Sequence, residues 1–295
     1  MSRIEKALEK ASQLRTKSPR QQTTSMVKTI ESAIENTVDI FPNQKKTDVL
    51  LVSNPLLVVS TDPSSHIAEE YHKLKSVMIS LARKDEINNV VMITSALPGE
   101  GKTITSINLA LSLAKEIDST VLLIDADLRK PSIADYLGIP ANLGLTDILE
   151  GRAEIEETLL RTGVGKLVVL PAGKVAINPV ELFSSNRMSL FVQEIKHRYP
   201  DRFIIFDAPP ILPFAETRTL ANLVDGVILV IKERLASVAN VTEAISSLSD
   251  TRILGAVYNE VEVSVSLDRY SHYYGGYRYK KPAPVEGEAV VPETR

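Results

Sequence analysis

The sequence predicts an α/β fold of three layers, with a mostly parallel sheet covered by helices on both faces. Two observations predict it. Seven short apolar runs alternate with longer helical stretches: Leu56–Val59, Val90–Thr94, Val121–Ile124, Leu167–Leu170, Phe203–Phe206, Val227–Ile231 and Ile253–Tyr258. The runs are also apolar throughout rather than alternating, as expected of strands buried on both faces. Helices on each side of such a sheet complete the layers.

Composition sets the outer bounds. A chain of 295 residues with 44% hydrophobic and 24% charged side chains is ordinary globular material, sized for one large domain or two smaller ones. The net charge of −3 is too balanced for the surface field of a general nucleic-acid binder. There is no cysteine, which rules out disulfides, thiolate metal sites and a cysteine nucleophile and fits a reducing cytoplasm. Four scattered histidines do not make a zinc centre, and His66, His197 and His272 are read as structural or exposed. No apolar run approaches the ~18 residues a membrane-spanning helix needs.

The elements follow in order. Ser2-Arg3-Ile4-Glu5 has capping-box spacing, and Ile4, Ala7, Leu8, Ala11 and Leu14 recur at helical intervals, so residues 2–15 read as a short amphipathic helix. Residues 16–47 are rich in Lys, Ser, Thr, Gln and Asn and read as a flexible linker. The first 47 residues carry nine basic and five acidic side chains, a net of +4, which leaves −7 for the remaining 248. The compact domain is expected over residues 48–265, followed by a mobile tail over 266–295.

Within the domain, Val90–Thr94 leads into Ser95-Ala96-Leu97-Pro98-Gly99-Glu100-Gly101-Lys102-Thr103, and Ile104–Lys115 reads as a helix. Strand, glycine loop and helix in that order form a P-loop, here A-x-x-x-x-G-K-T with Ala96 in place of the usual first glycine. Gly99 and Gly101 let successive backbone N–H groups of the loop curl around phosphate oxygens, and Pro98, Gly99, Glu100, Gly101, Lys102, Thr103 and Ile104 are the expected nucleotide-binding residues. The helix N-terminus adds its partial positive charge. Lys102 would reach the β- and γ-phosphates of ATP, and the Thr103 hydroxyl would ligate Mg²⁺. Three acids follow apolar strands: Asp125 and Asp127 after Val121–Ile124, and Asp207 after Phe203–Phe206. All three can face the loop. An acid directly after a buried strand needs a cation or donors to meet it, and a helix cap or an ion pair with Arg129 would serve as well as a metal.

From about Asp62 to Lys281 these residues resemble the bacterial tyrosine kinases (BY-kinases) of capsule and exopolysaccharide assembly. Ala96–Thr103 resembles their Walker A motif, Leu122–Pro131 their Walker A′ and Ile204–Pro210 their Walker B. Gly144–Gly151 and Asn178–Phe183 also look like family segments, without an assigned chemistry. The partitioning and cell-division-site ATPases share the loop class but carry a signature lysine where this chain has Leu97.

The resemblance implies Mg-ATP-dependent phosphoryl transfer to tyrosine. Lys102, Asp125, Asp127 and Asp207 are the expected catalytic groups, with Thr103, Asp127 and Asp207 holding the metal directly or through water. Asp125 is the choice for orienting the tyrosine hydroxyl, although spacing alone leaves its exchange with Asp127 open. Five of the nine tyrosines, Tyr270, Tyr273, Tyr274, Tyr277 and Tyr279, fall within ten residues beside Gly275 and Gly276, and by resemblance they are the phosphoacceptors of a neighbouring copy. Glu69, His72 and Lys75 stand where the family carries Glu-x-x-Arg-x-x-Arg for ring assembly, so a homo-oligomer contact is expected there. The implied partners are a membrane-spanning polysaccharide co-polymerase and a cognate protein-tyrosine phosphatase, with no nucleic acid. The implied location is the cytoplasm, recruited peripherally to the inner face of the membrane. The rival readings are an ATPase switch that positions a membrane-associated complex and a nucleotide-binding adaptor without turnover.

Overall fold

The computed structural model describes residues 52–83, 89–116, 119–198 and 202–262. The expected helix 2–15, the linker 16–47 and the tail 266–295 with its five tyrosines lie outside the described residues. A seven-stranded sheet is built from β1 (Val90–Ser95), β2 (Thr120–Asp125), β3 (Leu160–Arg161), β4 (Leu167–Leu170), β5 (Arg202–Asp207), β6 (Gly226–Lys232) and β7 (Ile253–Asn259). Its order is β3-β4-β2-β5-β1-β6-β7. Every pairing is parallel except β3 with β4.

Ten helices are described: α1 (Val58–Thr61), α2 (His66–Arg83), α3 (Lys102–Ala114), α4 (Ile133–Leu137), α5 (Leu145–Leu149), α6 (Ile155–Thr158), α7 (Pro179–Phe183), α8 (Asn186–Arg198), α9 (Ala215–Ala221) and α10 (Val238–Ser246). The three layers follow from the period of two along each strand. Val90, Met92, Leu122, Ile124, Ile204 and Phe206 pack into one core with Phe183, Met188, Phe191 and Leu220. Their neighbours Val91, Ile93, Val121, Leu123 and Ile205 pack into a second core, with Tyr71, Met78, Ile107 and Leu111. Continuous apolar strands are therefore required, since each face feeds its own core.

Two expectations need correction. Leu56–Val59 is not a strand: it forms a turn and the start of α1, and Leu57 and Val59 are buried in the second core. A four-residue apolar run carries no periodicity that separates strand from helix. The deciding contact is remote, because the buried Asn108 of α3 accepts the Val59 N–H at 3.1 Å and donates to the Leu56 carbonyl at 2.9 Å. The second correction concerns β7, whose side chains are exposed or half-buried rather than covered on both faces. Among the described residues it is the outer strand, paired only with β6.

The sheet order places the chemistry. β2, β5 and β1 are adjacent, and the register pairs Asp125 with Asp207 and Ile93 with Asp207. The acids therefore emerge at the carboxyl ends of two neighbouring strands, about 4.8 Å apart, beside the strand that feeds the glycine loop. Among the described residues no helix is long and apolar enough to cross a membrane.

Candidate active site

The loop between β1 and α3 adopts the backbone its glycines permit. Gly99 and Gly101 have φ of 85° and 91°, the left-handed region that side chains disfavour. A Cβ at Gly101 would also lie 2.1 Å from Asn259 Nδ2. Asn259, the last residue of β7, donates to the Glu100 carbonyl at 2.9 Å, so the outer strand clamps the loop. The Glu100 side chain turns fully inward: it accepts the Leu97 N–H at 2.6 Å and the Lys232 N–H at 3.3 Å. Only its backbone remains for phosphate.

Lys102 begins α3 and meets the acids. Its Nζ donates to Asp127 Oδ2 at 3.0 Å and lies 4.0 Å from Asp207 Oδ2. Burial alone would lower the lysine pKa, but the charges of Asp207 and Asp127 outweigh it and the net direction is upward. Asp207 is fully buried, and Ser106 of α3 donates to its Oδ1 at 3.0 Å. Burial pushes its carboxyl upward against the pull of Lys102.

Asp125 has a different environment. Its Oδ2 accepts the Ser132 and Ile133 N–H groups at 2.9 and 3.0 Å, capping the entrance to α4, and its Oδ1 accepts the Asp127 N–H at 3.2 Å. Burial and the charge of Asp207 push it up to about 7, against the backbone donors. Asp127 Oδ1 accepts the Lys130 N–H at 3.0 Å. Arg129 pairs with none of these acids; its partner is Glu216.

Thr103, Asp127, Asp207 and Lys102 thus converge, and Asp125, beside Asp207 in the register, holds the segment that carries Asp127. One observation bears on a metal. Oδ2 of Asp207 is buried without a hydrogen-bond partner, the Lys102 ammonium standing off at 4.0 Å. Hard oxygen ligands such as this carboxylate, Asp127 and the Thr103 hydroxyl suit Mg²⁺.

Two contributors escaped sequence reasoning. Ser106 and Asn259 carry no motif. The Gly144–Gly151 segment packs against Pro171–Gly173, where the Leu145 N–H donates to the Pro171 carbonyl at 2.8 Å. The Ala176 N–H then donates to the Leu128 carbonyl at 3.1 Å, buttressing the segment after Asp127. Outside the site, His72 Nδ1 lies 2.7 Å from Ser112 Oγ and Lys75 pairs with Glu116, so both face α3, whereas Glu69 is exposed.

Fold and loop together define a P-loop nucleoside-triphosphate-binding domain with acids at the ends of two adjacent strands. Comparison with known proteins narrows this class. A family model described as an AAA domain matches residues 88–253. The tyrosine-protein kinase YwqD of Bacillus subtilis is 36% identical over 220 residues, covering 74% of this chain and 90% of that protein. The kinase domain of the Escherichia coli tyrosine kinase ETK superposes with a TM-score of 0.67 at 27% identity, covering 76% of this chain and 86% of that one. The septum site-determining protein MinD of Pyrococcus horikoshii, solved with Mg-ADP, shares the fold at 24% identity and a TM-score of 0.50, over 60% of this chain and 72% of that one. The chain belongs to the bacterial tyrosine-protein kinases of the capsule and exopolysaccharide type.

Proposed function

We propose that this kinase transfers the γ-phosphoryl group of ATP to tyrosine hydroxyls, chiefly Tyr270, Tyr273, Tyr274, Tyr277 and Tyr279 of a neighbouring copy. The observation that carries the reading is the placement of Lys102 between Asp127 and Asp207 at the start of α3. In the transfer, the tyrosine oxygen bonds to the γ-phosphorus as the bond to the β–γ bridging oxygen breaks. ADP leaves and the hydroxyl proton passes to a carboxylate.

Each residue has a part. Lys102 and the amides from Gly99 to Ile104 stabilise charge on the transferring group. Thr103, Asp127 and Asp207 would hold Mg²⁺, which when bound neutralises charge on the phosphate oxygens. Asp125 orients the tyrosine hydroxyl through Oδ1, which carries a single long bond and keeps a lone pair free. Its other oxygen fixes the segment bearing Asp127.

The finer biology rests on the family. Phosphorylation adds about −1.5 to −2 charge per tyrosine, so a modified tail turns strongly acidic and leaves the neighbour's site. A cognate protein-tyrosine phosphatase resets it. The copies meet through the α2 face that bears Glu69, and a membrane-spanning polysaccharide co-polymerase recruits the kinase to the inner face of the membrane and activates it, coupling the cycle to polymer synthesis and export.

The test is incubation of purified protein with Mg-ATP, with and without the partner's cytoplasmic segment. Intact mass and peptide mapping of residues 266–281 follow, beside a Lys102→Met control. Phosphotyrosine confined to the wild type is expected. Phosphate released to water with the tail unmodified in both proteins would overturn the kinase reading in favour of an ATPase switch.

A further inference from the structure

We propose that Arg129 and Glu216 form a latch that sets the spacing of Asp127 and Asp207, making both of them positioning residues for phosphoryl transfer. The inference deepens the function proposed above and rests on it.

Asp127 and Asp207 sit on two separate segments. The one that follows Asp207 is fixed to β1 and the glycine loop. Thr94 donates to the Pro209 carbonyl at 2.6 Å, and the Ile211 N–H donates to the Ser95 carbonyl at 2.8 Å. Thr217, at the start of α9, donates to the same Pro209 carbonyl at 3.1 Å. The stretch from Asp207 to Glu216 is therefore a closed loop anchored at both ends.

The segment that follows Asp125 is held mostly from within and from the other side. Asp125 accepts from residues 127, 132 and 133, Asp127 accepts from Lys130, and Leu128 accepts from Ala176. Beyond Ala126, whose N–H reaches the Asp207 carbonyl at 2.9 Å, a side chain makes the crossing to the Asp207 side. Arg129 Nε donates to Glu216 Oε1 at 2.5 Å and its Nη2 to Oε2 at 3.4 Å, with the guanidinium 4.9 Å from the centre of the Phe214 ring.

The chemistry of the pair argues for geometry rather than surface decoration. The Glu216 side chain is 1% exposed, and a carboxylate so buried is costly unless a cation and donors meet it. Two parallel N–H bonds and a stacked ring fix the direction as well as the distance of the guanidinium, which a lysine cannot reproduce. Two residues before Arg129 is Asp127, and nine before Glu216 is Asp207, so the latch closes the ring of chain that carries both acids. A side chain that orients a ligand from one remove commonly changes metal affinity by about 10–100-fold.

The experiment compares wild type, Arg129→Lys, Glu216→Gln and the double variant. Binding of a fluorescent ATP analogue is titrated with Mg²⁺, and melting temperature and tyrosine labelling at saturating Mg²⁺ are recorded alongside. The Mg²⁺ midpoint is expected to rise about tenfold in each single variant. The double variant should be no worse than the poorer single, and labelling should recover at saturating Mg²⁺. Arg129→Lys keeps a charge opposite Glu216 and carries the test if Glu216→Gln does not fold. Midpoints within about twofold of wild type overturn the latch even if the melting temperature falls, because the pair then serves stability alone. Multiplicative losses in the double variant overturn it too. A wild type that binds the analogue yet never labels tyrosine would defeat the kinase reading, while a shifted midpoint in the variants would still support the latch.

Discussion

Lys102 donates to Asp127 Oδ2 at 3.0 Å, so the lysine that would meet phosphate is already held by an acid that would meet the metal. Nucleotide must therefore exchange one partner for another at this ammonium. Lys102→Met removes the cation from between two buried carboxylates. Tyrosine labelling by ATP should fall by at least about 100-fold, as expected for loss of a charge aimed at the transferring group. Mass spectrometry of residues 266–281 measures it, and labelling within about tenfold of wild type would remove Lys102 from the mechanism.

Asp125→Asn separates holding from chemistry. The amide oxygen can still accept from Ser132 and Ile133, and only the long 3.2 Å bond from the Asp127 N–H is lost, so the melting temperature should fall modestly. The rate of transfer should drop by about 100-fold if the carboxylate receives the tyrosine proton. Equal rates in stopped assays of the two proteins would confine Asp125 to capping α4.

Gly101→Ala meets two obstacles, a φ of 91° and the Asn259 amide in the space the Cβ would take. A loss of about 1–3 kcal/mol in unfolding free energy is expected, together with loss of nucleotide binding. Adding Asn259→Ala should relieve the collision but not the backbone strain. Denaturant midpoints of the three proteins check this, and full recovery in the double variant would contradict the backbone argument.

Asn108→Ala should destabilise the fold by about 3 kcal/mol, because the buried Val59 N–H loses its acceptor and the Leu56 carbonyl loses its donor. The same unfolding series reports it. A change below about 0.5 kcal/mol would mean that α1 is not anchored through this amide.

Acid should weaken the sheet through Asp225. Burial alone would raise its pKa, but Lys196 at 2.7 Å and the Asn89 and Val90 N–H groups at 3.1 and 2.9 Å outweigh it, so the folded value lies below the ordinary 3.8. A depressed carboxyl contributes stability that is present above 3.8 and lost as pH falls through the folded value. Asp225→Asn should be less stable than wild type at neutral pH and should show a shallower loss below about pH 4. Parallel slopes in urea titrations across that window would reject the assignment.

Much of this architecture was legible in the chain. Six of the seven apolar runs are strands, and all but β7 are apolar throughout because two cores demand side chains on both faces. Leu56–Val59 misled because Asn108, about 50 residues on, decides its conformation. β7 reads like an inner strand, yet nothing in Ile253–Tyr258 says that among the described residues β6 is its one neighbour. The glycine loop and the three acids announced themselves by spacing. Their different surroundings did not, because Ser132 and Ile133 fold back onto Asp125 alone. Glu216 gave no signal at all: it sits in a short helix 87 residues from Arg129, and only the fold brings them together.

The acids around Lys102 have a thermodynamic consequence. Asp125, Asp127 and Asp207 share a single ammonium, and the burial that raises the carboxyls of Asp125 and Asp207 is a cost that an entering cation relieves. A site so unbalanced is poorest when empty, and whatever fills it binds the native chain and not the unfolded one. By mass action, ligand at 100 times its dissociation constant would add about 2.7 kcal/mol to the folded state. The kinase domain should therefore register cellular magnesium and nucleotide levels in its own lifetime as well as in its rate.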